Sequence, residues 1–284
     1  MLRLGAHVSI SGHIYLSIER ALKLRCNTMQ IFSRNPRQIR RGFISEGDIK
    51  IFRQKLKESG IYSFIVHIPY TLNLAAPKKR FYAITIREFT EDLKEAGRLG
   101  ADFLVTHPGS SKGLSKNKGL KRIIEALRLI LHQARGVKTK ILLENVSGSG
   151  DWLGSTFAEL GEIIKGVSFN RKVGICLDTC HAFCAGYPLN TAGGLKEMIK
   201  EIDREVGVRR LKAIHLNDTN DDLGSKKDRH SHIGKGKIGL EGFSRIINHP
   251  LFRNIPFIIE TPKESEEDDL NNLTTIRKLY ANSG

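Results

Sequence analysis

VGICLDTCHAFCAG, residues 173–186, decides how this chain is read. Five apolar or small residues run without alternation into Asp178, as in a strand buried on both faces. His181 follows three positions later, in the loop beyond the strand end. Cys176, Cys180 and Cys184 fall within the same nine residues. The stretch could be a zinc knuckle, a disulfide staple, or a barrel strand that ends in metal ligands. Cys176 lies two residues before Asp178, so it shares that facing deeper in the strand and reads as a small core filler. The break from strand to loop after Cys176 spoils any regular cysteine geometry. Four cysteines in 284 residues do not make a disulfide scaffold either. The barrel-strand reading stands if other strands end the same way.

Seven similar runs flank it: RLGAHVS (3–9), TMQIFSR (28–34), SFIVHIP (63–69), FLVTHPG (103–109), KILLENV (140–146), LKAIHLND (211–218) and PFIIETP (256–262). Helical patterns separate most of them. Ser45 can cap a helix that buries Ile49, Phe52 and Leu56 and stops at Gly60. Leu120, Ile123, Ile124, Leu127 and Leu131 mark a helix closed near Gly136. Ser155 or Thr156 can cap another, with Glu159 completing a capping box. Leu195, Met198, Ile199, Ile202 and Val206 share a face that ends at Gly207. The acidic patch Glu264–Asp269 reads as a solvated loop or a helix start. Eight strands alternating with helices indicate a TIM (β/α)8 barrel. A doubly wound sheet is the alternative, but no glycine-rich phosphate loop follows the first strand. No linker, repeat or low-complexity stretch divides the chain, so residues 1–284 are expected to form a single barrel domain.

The strand ends then line up. In such a barrel the C-terminal ends of all strands face one pocket, where chemistry sits. Strands three to eight end in His67, His107, Glu144, Asp178, His215 and Glu260, spaced 40, 37, 34, 37 and 45 residues apart. Asp228 and His230, in KKDRHSHIG after strand seven, join His181 as a further ligand set. Imidazoles mixed with carboxylates suit Zn²⁺, Mn²⁺ or Fe²⁺ rather than ions that prefer all-oxygen shells. Nine ligands exceed the needs of one tetrahedral ion, and a carboxylate such as Glu144 could bridge two.

Composition adds a partner. Forty-six Lys and Arg against 30 Asp and Glu leave a net charge of +16, which favours a polyanion. No apolar run reaches the ~18 residues of a membrane span. The opening MLRLGAHVSIS has no apolar leader, so a cytoplasmic location is expected.

Through GICLDTCH, HLND, DRH and VHIPY, the chain closely resembles the endonuclease IV family from AHVS (6–9) to IIETP (258–262). The resemblance implies an apurinic/apyrimidinic endonuclease that hydrolyses the phosphodiester 5′ to abasic sites in duplex DNA. It implies three zinc ions per chain, replaceable by Mn²⁺ or Fe²⁺. By position His67, His107 and Glu144 would hold the first. Glu144, Asp178, His215 and Glu260 would hold the second, and His181, Asp228 and His230 the third. Glu144 and Glu260 would position the attacking group. Arg37 and Tyr70 match the side chains the family inserts at the damaged site, whereas Arg34, Arg40 and Arg41 read as solvated cations. Ile39 stands where an aromatic is common, Thr71 where an apolar wedge is usual, and Thr219-Asn220 where a small residue and a lysine are usual. A monomer with no obligate protein partner is expected. Two rival classes are a sugar isomerase or epimerase on a similar barrel, which leaves His181, Asp228, His230 and the charge unexplained, and an inert nucleic-acid-binding barrel, which predicts gaps in the ligand set.

Overall fold

The computed structural model describes residues 1–39, 42, 44–265 and 267–281; Arg40 and Arg41 lie outside the described residues, as does Glu266 of the acidic patch. Eight parallel strands close into a barrel: β1 (Leu4–His7), β2 (Thr28–Phe32), β3 (Ser63–His67), β4 (Phe103–Thr106), β6 (Lys140–Glu144), β8 (Val173–Asp178), β9 (Leu211–Leu216) and β10 (Phe257–Ile259). Each pairs with its neighbours in sequence around the ring, and β10 pairs with β1 to close it. Two short extra strands, β5 (Gly109–Ser110) and β7 (Trp152–Leu153), form an antiparallel pair beyond the ends of β4 and β6.

The helices are α1 (Leu16–Lys23), α2 (Glu46–Glu58), α3 (Lys79–Leu99), α4 (Lys116–Gln133), α5 (Phe157–Gly166), α6 (Thr179–Ala185), α7 (Ala192–Glu205), α8 (Gly239–Ile247) and α9 (Asp268–Ala281). Their apolar faces bury Phe52, Phe89, Leu127, Phe157, Ile202 and Phe243 against the outside of the barrel. Local chemistry explains the ends. Ser45 Oγ accepts the Asp48 N–H at 3.0 Å, a cap worth about 1 kcal/mol. Gly60 and Gly207 follow α2 and α7 at φ 73° and 86°, backbone that a side chain resists. Thr156 rather than Ser155 caps α5, and Glu159 reaches back past it to the N–H groups of Gly154 and Ser155. Asp268 starts α9 by accepting the N–H groups of Glu264 and Ser265. No helix among the described residues is long and apolar enough to cross a membrane.

One irregularity sets the register of the site. Between β8 and β9, Ile175 pairs with Leu211 but Cys176 pairs with Ala213, so Lys212 is an extra residue on β9. A one-residue shift exchanges the two faces of a strand. Without it Asp178 would lie level with Ile214; with it, Asp178 lies level with His215, and both face the barrel interior.

Candidate metal centre

The barrel interior is layered. Ile65, Val105, Leu142, Cys176, Ala213 and Ile258, from six strands, form one fully buried apolar layer. Strand side chains return to the same face every two residues. Two residues further on, the same six strands bring His67, His107, Glu144, Asp178, His215 and Glu260 to one level. Cys176 and Ala213 are thus the floor beneath Asp178 and His215. All four cysteines are free and buried. His181 follows on α6 rather than in a loop: Asp178 caps that helix by accepting the His181 N–H at 2.8 Å. Asp228 and His230 arrive from the irregular segment between β9 and α8. Asp218 ties that segment down by accepting N–H groups of Gly234, Gly236 and Ile238.

Three groups of potential ligand atoms result, each within 4.8 Å: His67, His107 and Glu144; Glu144, Asp178, His215 and Glu260; Asp178, His181 and His230. Asp228 joins the third group, 3.0 Å from His181 Nε2 and 3.4 Å from His230 Nε2. The structure therefore brings all nine sequence-selected side chains together, and Asp178 faces the third group as well as the second.

Hydrogen bonds behind the rings decide which nitrogen faces inward. His67 Nδ1 donates to the Ile68 carbonyl at 2.6 Å, His181 Nδ1 to Asn145 at 2.9 Å, and His230 Nδ1 to Glu260 at 3.0 Å. A neutral imidazole that donates through Nδ1 carries its lone pair on Nε2. Those lone pairs point at carboxylates: His67 Nε2 lies 3.0 Å from Glu144 Oε2. His215 is reversed. Its Nε2 donates to Gln30 Oε1 at 2.9 Å, and its Nδ1 lies 3.0 Å from Glu144 Oε1 and 3.1 Å from Glu260 Oε2. His107 Nε2 lies 3.4 Å from Glu144 Oε2. Two acceptors do not bond each other, so each contact needs a second proton on the ring or a cation between the pair. Ligand atoms around a tetrahedral Zn²⁺ at ~2.0–2.1 Å stand about 3.3 Å apart, which these spacings match. His230 Nε2 is buried without a hydrogen-bond partner among the described residues, as an open ligand atom would be. The residues present therefore fit divalent ions.

The electrostatics carry the same demand. Burial opposes charge on Glu144, yet His215 and His107 hold its carboxyl well below the usual range. Burial and then His215 set Glu260, with the same downward outcome. Asp228 is held down to about 2 against its own burial by His181. Burial works against His181 and His215 too, but Asp178 and Asp228 around the first, and Cys176, Glu260 and Glu144 around the second, raise both well above the imidazole range. A divalent cation bound at this cluster would take the place of these protons.

A cleft of about 670 Å³ opens onto the cluster and is lined by His7, Ser9, Phe32, Tyr70, His230 and Glu260, among others. Tyr70 stands at its rim, 58% exposed, with ring centroids 5.8 Å from Phe32, 6.0 Å from His67 and 5.8 Å from His107. Arg37 is exposed on the β2–α2 segment. Thr71 Oγ1 donates to the Gln38 carbonyl at 3.3 Å, joining the Tyr70 turn to that segment. Ile39 is 42% exposed, Thr219 is fully buried and Asn220 exposed. Arg34 corrects its sequence reading: it is a buried anchor, not a solvated cation, bonded to Asp92 at 2.6 Å and Glu88 at 3.2 Å on α3. It also donates to the Ile39 carbonyl, so the segment carrying Arg37 is pinned from below.

Several members of the site were not selected from sequence. Gln30 and His7 complete the ring on the first two strands. Asn217 donates to Asp178 Oδ2 at 2.6 Å and accepts the Glu260 N–H, and Asn145 brackets the Asp178 backbone. Trp152, on the antiparallel β5–β7 pair, meets the His107 ring edge-on at 5.6 Å. Asparagine after a strand-end ligand, in LEN and HLN, is the signal that could have found two of them.

The family model described as xylose isomerase-like TIM barrel matches residues 18–279. The chain is 43% identical to the probable endonuclease 4 of Halothermothrix orenii, across 94% of this chain and 96% of that protein. The chain belongs to the endonuclease IV family. The crystal structure of endonuclease IV from Thermus thermophilus superposes on this family member with a TM-score of 0.89 at 33% identity, covering 99% of this chain and 100% of that one. A D-tagatose 3-epimerase-like protein superposes at 0.74 with 22% identity, a likeness of fold alone.

Proposed function

We propose that this endonuclease IV family member hydrolyses the phosphodiester 5′ to abasic sites in duplex DNA, leaving a 3′-hydroxyl and a 5′-deoxyribose phosphate, with three zinc ions held by the nine clustered side chains. The observation that carries the proposal is the convergence of imidazole nitrogens and carboxylates at the spacing of ligand atoms around shared ions. Membership of the family and the net charge of +16 support the substrate class.

Divalent ions in such a site supply Lewis acidity, which lowers the pKa of a ligated water and offsets charge on the phosphodiester oxygens. His67, His107 and Glu144 would hold one ion, Glu144, Asp178, His215 and Glu260 a second, and His181, Asp228 and His230 a third. The residues of the chain do the rest. Glu144 and Glu260, both ionised and both against His215, orient the attacking water. Asn217 fixes the Asp178 carboxylate and the Glu260 backbone relative to each other. Tyr70 and Arg37 stack into the gap beside the flipped abasic nucleotide, where unpaired bases offer their faces. Lys and Arg elsewhere on the surface grip the flanking phosphates, which makes affinity steeply salt-dependent.

The test is a duplex carrying a tetrahydrofuran abasic analogue, which cannot undergo β-elimination. A nick on its 5′ side, leaving an end that a polymerase extends, is expected. Intact analogue DNA together with turnover of a ketose or aldose would overturn the proposal in favour of an isomerase.

A further inference from the structure

The first two barrel strands bring no ligand to the ring, only His7 from β1 and Gln30 from β2. Gln30 is fully buried, and both ends of its amide are committed. Its Nε2 lies 2.6 Å from Glu260 Oε1 and its Oε1 lies 2.9 Å from His215 Nε2. The assignment of the amide is forced. A Glu260 carboxylate that holds an ion only accepts, so the Gln30 atom 2.6 Å from its Oε1 is the amide nitrogen, which donates. The amide oxygen then faces His215, whose Nε2 must carry the hydrogen. That leaves the His215 lone pair on Nδ1, facing Glu144 and Glu260. His7 Nδ1 closes the network, 3.0 Å from both Gln30 Nε2 and Glu260 Oε1.

We propose that Gln30 is a positioning residue for the second ligand group, setting the His215 tautomer and the Glu260 carboxylate orientation with one side chain. The inference rests on the reading that Glu144, Asp178, His215 and Glu260 hold an ion. It also predicts selectivity among the ions. The imidazoles of His67, His181 and His230 are oriented by backbone carbonyls, which no side-chain substitution removes. His215 is oriented by a side-chain amide, so a change at Gln30 acts on the second group alone. Outer hydrogen bonds of this kind are worth about 10- to 100-fold in metal affinity.

The experiment uses the full chain as purified with its metal. Ions are counted, then withdrawn stepwise by zinc competition with a chromophoric chelator, for the wild type, Gln30→Leu and Gln30→Glu. Leucine fills the space and makes neither bond. Glutamate keeps the acceptor for His215 but cannot donate to Glu260, and it guards against a folding failure of the leucine variant. In either folded variant one ion should bind about 10- to 100-fold more weakly while the others keep wild-type affinity. A folded variant that holds every ion as tightly as wild type, or loses all of them equally, overturns the assignment to Gln30 while the metal reading survives. A wild type that binds no ion overturns both.

Discussion

Tyr70→Ala should separate damage recognition from general DNA binding. Tyr70 is 58% exposed at the rim of the cleft, so less than half of the residue packs, its ring against Phe32, His67 and His107. An aromatic side chain buries about 150–250 Å² when fully covered. Losing the packed part at ~25 cal/mol per Å² costs about 2 kcal/mol of stability. That loss occurs whether or not Tyr70 touches DNA, so a lower melting temperature alone decides nothing. Binding does decide. Stacking on a base is worth about 1–3 kcal/mol by alanine substitution, a 5- to 150-fold loss of affinity for abasic duplex. Undamaged duplex offers no gap, and its binding rests on phosphate contacts that Tyr70 does not make. The assay is fluorescence anisotropy with the two duplexes at one fixed salt concentration, below the melting transition. The ratio of damaged to undamaged affinity should fall by that factor. An unchanged ratio refutes the wedge role and leaves Tyr70 as a packing residue, with Thr71 the first neighbour to examine.

Arg37→Ala should reduce the same ratio and also flatten the salt dependence of binding, because a cation is removed; an unaltered salt slope would exclude a phosphate-side contribution. Arg34→Met breaks a buried ion pair at one end and should cost about 3–5 kcal/mol in denaturant unfolding; a loss below about 1 kcal/mol would contradict the anchor role. His181→Ala or His230→Ala should remove about one ion and much of the activity while circular dichroism keeps the barrel signature, and full activity in both would contradict the third ligand set. For metal-stripped protein, the raised imidazoles of His181 and His215 contribute stability below their ordinary value of 6.5, and it is lost as pH rises through their folded values. The lowered carboxyls of Glu144 and Glu260 contribute above 4.5, and that stability is lost as pH falls. The melting temperature of the stripped protein should therefore decline above about 6.5, zinc should abolish most of that decline, and zinc binding at neutral pH should release protons measurable by calorimetry in two buffers.

Legibility in the sequence followed physical rules residue by residue. The barrel and its ring of candidate ligands can be read because six strands repeat one device: an apolar residue, then two positions on a His, Asp or Glu. The same period places Cys176 in the core correctly. What cannot be read depends on register and on partners distant in sequence. The extra residue Lys212 leaves no mark in LKAIHLND, whose continuous apolar character hides which face turns inward. Gln30 is an ordinary polar residue in a strand until β9 and β10 bring His215 and Glu260 beside it. Arg34 reads as solvated because its neighbours in sequence are cationic, while its partners Glu88 and Asp92 lie more than 50 residues away on α3. His181 reads as a loop residue because DTCH looks like a strand end, and the cap that Asp178 provides to α6 is visible only in the backbone.

Metal content per chain tests the central claim most directly. Elemental analysis of the purified protein, referenced to an absolute protein concentration, should give about three ions per chain with zinc prominent. One ion per chain, or none after purification in zinc-supplemented buffer, would contradict the trinuclear centre and with it the division of the nine ligands into three sets.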